Sequence, residues 1–171
     1  MELDERIRVV PYDEEWTTLF QEEKGHLLKV FGDDAVDIQH FGSTSVPGMW
    51  AKPIIDVLIG VRSLELNGSI TNGLIRLGYE GFGEAGVKGR LYFRKRREHA
   101  YNLAVVIWNG EQWVNNLLIR DYLRNNPDIA SQYGERKLGA IRKGHTTLLS
   151  YSDDKADYVH RLLVQAKESM E

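Results

Sequence analysis

A glycine-serine turn set between two apolar, β-branched stretches constrains this chain more than any other feature. A short apolar segment with Val36, Ile38 and Phe41 runs into His40-Phe41-Gly42-Ser43-Thr44-Ser45-Val46-Pro47-Gly48. After a loop of about a dozen residues comes Lys52-Pro53-Ile54-Ile55-Asp56-Val57-Leu58-Ile59-Gly60. Both flanks read as strands. A Gly-Ser turn offers backbone N–H groups and a hydroxyl to an anion, and glycine, lacking a Cβ, lets the ligand approach the backbone. A lone aspartate in a β-branched run is costly to bury without a partner, so Asp56 is expected at a strand end facing a cation or a donor. Its carboxylate is a hard oxygen donor suited to Mg²⁺, and a phosphate-sized turn beside such a donor is an arrangement for phosphoryl and nucleotidyl transfer. The plainer alternatives are an ordinary turn, and an Asp56 bonded to backbone N–H groups or paired with Lys52.

At these residues the sequence resembles the nucleotidyltransferase superfamily. Within it, the Gly42-Ser43 turn followed by Lys52-Pro53-Ile54-Ile55-Asp56 is similar to the GrpB family of small bacterial proteins. Leu118-Ile119-Arg120-Asp121-Tyr122-Leu123-Arg124-Asn125-Asn126-Pro127 resembles that family's second recurring segment. The resemblance implies an α+β fold: a nucleotidyltransferase-like mixed β-sheet of four to six strands, flanked by helices, with a helical C-terminal third. It also implies Asp56 and Lys52 as catalytic residues, Asp56 as the Mg²⁺ ligand, and Gly42, Ser43, Thr44 and Ser45 as phosphate-binding residues. Arg94, Arg96 and Asn102 complete the expected nucleotide site, since on paired strands they alternate with apolar neighbours and share a face. Lys52 is suited to neutralise phosphate as a point charge.

The chain departs from the superfamily pattern in ways that bear on chemistry. An active member carries a second acidic residue two positions beyond the first, on the same strand face, where this chain has Leu58. A third carboxylate is expected from a neighbouring strand, yet residues 100–108 contain none, leaving only Glu80, Glu84 and Glu98 in expected loops. Where the family's central strand often reads His-Leu-His, this chain has Asn102-Leu103-Ala104. Two functional readings follow. One is a divergent nucleotidyltransferase-like enzyme that binds a nucleotide or another phosphate-containing ligand with Mg²⁺ and transfers a nucleotidyl group. The other is a non-catalytic nucleotide- or RNA-binding module on the same fold, which Leu58 favours. Some family members resemble an extra domain fused to a coenzyme A biosynthetic kinase, which also points to a nucleotide-linked role.

Composition narrows the classes further. The 171 residues suffice for one domain with a single core. The absence of cysteine excludes disulfides, thiolate metal sites and a cysteine nucleophile. No apolar run approaches the ~18 residues of a membrane span, and the N-terminus lacks the order of a signal peptide, so a cytoplasmic location is expected. The formal net charge of −3 argues against coating nucleic acid in bulk. Lys88, Arg90, Arg94, Lys95, Arg96 and Arg97 nevertheless crowd into ten residues, which suits a small anionic ligand or a short length of RNA.

Periodicity predicts the elements. Residues 7–10 read as a short strand ending at Pro11. A helix follows, capped by Asp13 and closed by Gly32, with Trp16, Leu19, Phe20, Leu27, Val30 and Phe31 on its apolar face. Strands are expected over 36–41 and 54–61, a helix over 63–77, a glycine-rich flexible segment over 81–89, and antiparallel strands over 91–96 and 100–108. The rest is helical: 113–124, then a helix opened by Asn126-Pro127, then a last helix capped by Ser152-Asp153-Asp154. His40 and His99 have an acid–base reading, but a structural hydrogen-bonding role is preferred for His40.

Overall fold

The structure, a computed structural model, describes residues 4–170. Helix α1 (Glu15–Phe31) buries Trp16, Leu19, Phe20, Leu27 and Phe31, which recur at helical spacing. Oδ1 of Asp13 accepts the backbone N–H of Glu15 at 2.9 Å, and Gly32, at φ +54°, closes the helix. Strand β1 (Ala35–Phe41) leads through Gly42 into one 3-10 turn over Ser43–Ser45, then into β2 (Ile54–Val61) and α2 (Gly68–Leu77). Strands β3 (Glu80–Gly81), β4 (Arg90–Arg96) and β5 (Ala100–Ile107) follow, and helices α3 (Glu111–Asn125), α4 (Pro127–Arg142) and α5 (Leu148–Glu168) complete the chain.

The five strands form one mixed sheet in the order β1-β2-β5-β4-β3, with β2 and β5 parallel and the other neighbours antiparallel. Side-chain alternation divides it into two faces. Ile55, Val57, Ile59, Val61, Tyr101, Leu103 and Val105 point with Ile38 into the core beneath α1 and α2. On the other face Leu58, Ala104 and Val106 pack against Trp113 and Leu117 of α3. Both central strands are therefore covered on both faces, which explains their near-continuous apolar sequence. The C-terminal helices build a second core around Val46, Met49, Leu123, Tyr133 and Leu162, which anchors the segment after the Gly-Ser turn.

The expected strands over 36–41, 54–61, 91–96 and 100–108 are all present, as are the helices that follow. Three local expectations differ. Residues 7–10 form no strand: an isolated bridge from Val10 to Ala51, another from the preceding Arg6 to Thr147, and the Ile7 N–H bonded to the Thr146 carbonyl tie the segment down. Helix α2 begins at Gly68 and not near Ser63, because Asn67 supplies the cap by accepting the N–H of Ile70 at 2.9 Å. Helix α5 begins at Leu148, capped by Thr147, so Ser152-Asp153-Asp154 falls inside it, with side chains outside the described set. No helix among the described residues is long and apolar enough to cross a membrane.

Candidate anion-binding site

Strand register assembles the site. Phe41, Asp56, Asn102 and Arg94 are direct cross-strand neighbours on β1, β2, β5 and β4, so they form one row across the sheet on the face that meets α3. Gly42 follows Phe41 at once, which brings the turn beside Asp56. At φ +71° and ψ −172° Gly42 has a backbone conformation reserved for glycine, and a Cβ there would overlap Oδ2 of Asp56. The turn and the carboxylate thus converge on one side of the sheet. The turn is followed by a single 3-10 turn, so no helix N-terminus stands behind Ser43.

These residues open on a cavity of about 410 Å³ between the sheet and α3, α4 and α5. Gly42, Ser43 and Thr44 lie along it, with Ala85 and Val87 of the glycine-rich segment on another wall. Among the described residues Lys52, Arg90, Arg94, Arg120 and Lys137 line it, with one carboxylate, Asp56. Apolar and aromatic surface comes from Ile54, Val87, Tyr92, Ile119, Leu123 and Tyr133. This volume and mixed lining are those of a small-molecule site. A larger cleft of about 570 Å³ adjoins it at the same end of β2, sharing Lys52 and Ile54 and lined also by Glu5, Arg6, Arg96, Glu98 and His99, but it contains neither the turn nor Asp56.

The predicted residues are distributed between these places. Asp56, Gly42, Ser43, Thr44, Arg94, Asn102 and Lys52 all border the cavity. The Thr44 hydroxyl is 2.8 Å from Nε2 of His40, however, and Ser45 Oγ donates to the carbonyl of Gly42 at 2.5 Å and does not reach the cavity. Both hydroxyls thus bond within or beside the turn, and of the two residues only Thr44 borders the cavity. Arg96 borders the larger cleft: its guanidinium donates to Glu5 at 2.6 and 3.0 Å, to the Tyr101 carbonyl at 3.0 Å and to Oδ1 of Asn102 at 2.8 Å. Burial pushes the Glu5 carboxyl up, but the Arg96 hydrogen bond and charge outweigh it and leave Glu5 below its ordinary value. Through Asn102, whose Nδ2 donates to Oδ1 of Asp56 at 3.2 Å, Arg96 positions the carboxylate. Alternation along β4 also splits the expected basic cluster. Lys95 points to the opposite face, where it meets the buried Glu23 at 2.5 Å.

His40 lies on the α1 face, stacked on Phe20 at 4.8 Å between ring centroids. Burial, reinforced by Arg124 and Arg120, pulls its pKa down to about 4, so the ring is neutral at pH 7 and serves the turn through Thr44. Two residues had not been expected at the cavity, Arg120 and Lys137. Arg120 donates to Oε1 of Gln39 at 2.8 Å and to the His40 carbonyl at 3.0 Å. Lys137 is 3% exposed, and its ammonium donates to Ser43 Oγ, to the Trp50 carbonyl at 3.0 Å and to Met49 Sδ at 3.1 Å. It also lies 4.3 Å from the ring centroid of Tyr133. The signal for Lys137 was legible, since it falls with Ala130, Tyr133 and Ala140 on the buried stripe of α4.

The Mg²⁺ that the resemblance implies can be tested against these donors. Leu58 is fully buried beneath Trp113, and the cross-strand neighbours of Asp56 and Asn102 are an aromatic ring and a guanidinium. Glu80 shares the row but stands three strands from Asp56, roughly 14 Å at the usual strand spacing. Glu84 accepts the N–H of Gly89 within its own loop. Among the described residues no three acidic or histidine side chains group as a metal site would need. One carboxylate surrounded by guanidinium and ammonium groups does not fit a two-metal centre.

A five-stranded mixed sheet covered on both faces, with a helical C-terminal part and a Gly-Ser turn beside a strand-borne aspartate, defines an α+β protein with a cationic cavity at one end of its sheet. The chain matches the GrpB protein family over residues 6–165 and belongs to that family. UPF0157 protein YqkA of Bacillus subtilis is 36% identical over 163 residues, which are 95% of this chain and 48% of YqkA, so the chain spans about half of that relative. The glutamate-rich protein GrpB of Alkalihalophilus pseudofirmus is 33% identical over 161 residues, covering 91% of this chain and 92% of that protein. The crystal structure of conserved protein GrpB from Enterococcus faecalis, 32% identical, superposes with a TM-score of 0.87 over 96% of this chain and all of that one.

Proposed function

We propose that this chain binds a phosphorylated small molecule, a nucleotide or a related phosphate ester, in the cavity above Asp56. The observation that carries the reading is the cavity's lining: among the described residues five basic side chains stand beside the single carboxylate of Asp56, with Arg94 also 3.9 Å from Glu5 and Arg120 2.9 Å from Asp121. An organic anion suits both that basic lining and the apolar and aromatic surface beside it. The Gly42-Ser43 turn supports the same reading, because it keeps a Cβ out of the space beside the carboxylate. A capture role is favoured over nucleotidyl transfer by the buried Leu58 and by the Asn102–Arg94 pair. A small molecule is favoured over RNA because β4 divides the basic cluster between two faces, where Lys95 and Arg96 are engaged by Glu23 and Glu5.

A thermal-shift and calorimetric panel of nucleoside mono-, di- and triphosphates, coenzyme A-like nucleotides and inorganic phosphates tests the reading. Ligand at ~100 times its dissociation constant adds about 2.7 kcal/mol of stability, a readily measured shift. Lys137→Met keeps the length and apolar contact of the side chain while removing its charge, and it should weaken binding about tenfold or more. Failure of every phosphate compound to bind wild type would overturn the proposal.

A further inference from the structure

Free phosphate chains carry Mg²⁺ in solution because water alone neutralises them poorly. In this cavity the neutralising charge is already built into the walls. Arg90, at the start of β4, lies with its guanidinium 4.8 Å from the ring centroid of Tyr92. One terminal nitrogen donates to the carbonyls of Glu84 at 3.2 Å and Ala85 at 3.3 Å, which orients the head. Its Nε is buried and has no hydrogen-bond partner among the described residues. A buried guanidinium N–H in that state, on the wall of a cationic cavity, calls for an oxyanion. Arg94 is 1% exposed and fixed by its Nε donating to the Tyr92 hydroxyl at 2.7 Å, by Glu5 3.9 Å from its guanidinium, and by the Phe82 and Tyr92 rings each 5.2 Å away. Lys137 is held over Tyr133 by its bonds to Ser43, Met49 and Trp50. The carboxylate that would be needed for a metal is engaged instead, since Oδ1 of Asp56 accepts from Asn102.

Resting on the reading that the cavity takes a phosphate ester, we infer that the ligand enters as the metal-free anion, with Arg90, Arg94 and Lys137 in the place of Mg²⁺. Asp56 then acts as a hydrogen-bond acceptor and, among the described residues, as the carboxylate on the cavity wall that opposes the ligand. This makes the sign of an Asp56 substitution diagnostic. A metal ligand lost weakens binding, whereas an opposing charge removed strengthens it.

The test is calorimetric titration of the full chain with ATP and with inorganic tripolyphosphate, each in excess EDTA and in excess Mg²⁺. Both probes should bind at least as tightly in EDTA as in Mg²⁺, because Mg²⁺ cancels the charge that the cavity recognises. Asp56→Asn should tighten binding in EDTA by about fivefold. Arg90→Gln should weaken it by about tenfold and flatten its salt dependence, while the unfolding midpoint without ligand, measured alongside, reports the separate loss of its bonds to the Glu84 and Ala85 carbonyls. Binding that appears only with Mg²⁺, or that Asp56→Asn weakens, overturns this inference while leaving the phosphate reading in place. Absence of binding in both buffers, for these probes and for the wider panel, overturns both.

Discussion

Gly42→Ala isolates the geometry on which the site depends. The native φ of +71° with ψ of −172° belongs to a region that side chains avoid, and holding alanine there costs roughly 1–3 kcal/mol. Steric overlap adds to this. The new Cβ would overlap Oδ2 of Asp56 and stand 3.1 Å from its Cβ and Cγ. Asp56 cannot simply turn away, because Asn102 holds its other oxygen and Arg96 holds Asn102. The combined loss should be about 3–4 kcal/mol, among the larger effects of a single substitution. Urea unfolding followed by tryptophan fluorescence measures it, and repeating Gly42→Ala in an Asp56→Ala background separates the two causes. Without the carboxylate the overlap disappears and the backbone strain remains, so the cost should fall by about 1–2 kcal/mol. Equal costs in the two backgrounds, or a cost below about 0.5 kcal/mol in wild type, would refute the claim that the turn and the carboxylate are in contact.

Three further outcomes follow from the same structure. His40 is held neutral with its pKa lowered from 6.5 to about 4, so the unfolded chain binds the extra proton between those values and stability falls as pH drops through that window. The fall is on the order of 3 kcal/mol, and stability measured from pH 7 to pH 4 should decline more steeply in wild type than in His40→Gln. Leu58→Asp, which restores the missing acidic position, should destabilise by at least about 3 kcal/mol without creating a metal site, since the side chain is fully buried against Trp113. Pyrophosphate release from nucleoside triphosphates should be the same slow background for wild type and Asp56→Asn, and release by wild type alone would restore nucleotidyl transfer as the activity.

The sheet was legible because alternation and β-branched runs are local signals. The expected strand bounds differ from β1, β2, β4 and β5 by one residue at most, and the pairing of β4 with β5 followed from their short connection. The segment 7–10 carries the same alternation but gains only one bridge, Val10 to Ala51, beside that of Arg6 to Thr147, because these partners come from distant parts of the chain. The turn, Asp56, Asn102 and Arg94 were found because strand spacing fixes which residues share a face. Arg96 was misplaced for a related reason. It shares that face, but a carboxylate from the N-terminal segment, Glu5, takes up its guanidinium.

Lys137 and Glu23 show where local reading stops and what would extend it. Each charged residue interrupts an apolar helical stripe, Glu23 following Trp16, Leu19 and Phe20 in α1, and Lys137 standing between Tyr133 and Ala140 in α4. A charge on a buried stripe must be satisfied inside the protein. Spacing therefore implies that both are buried and bonded, but it is silent on the partner. Glu23 finds its partners on the sheet, accepting from the Tyr79 hydroxyl and meeting Lys95, so charge is compensated and a structural network results. Lys137 instead meets Ser43, Met49 and Trp50 at the wall of the cavity it lines. The same sequence signal thus marks a core pair in one helix and a residue on the cavity wall in the other. What decides between them is the character of the groups that the rest of the fold brings to the charge.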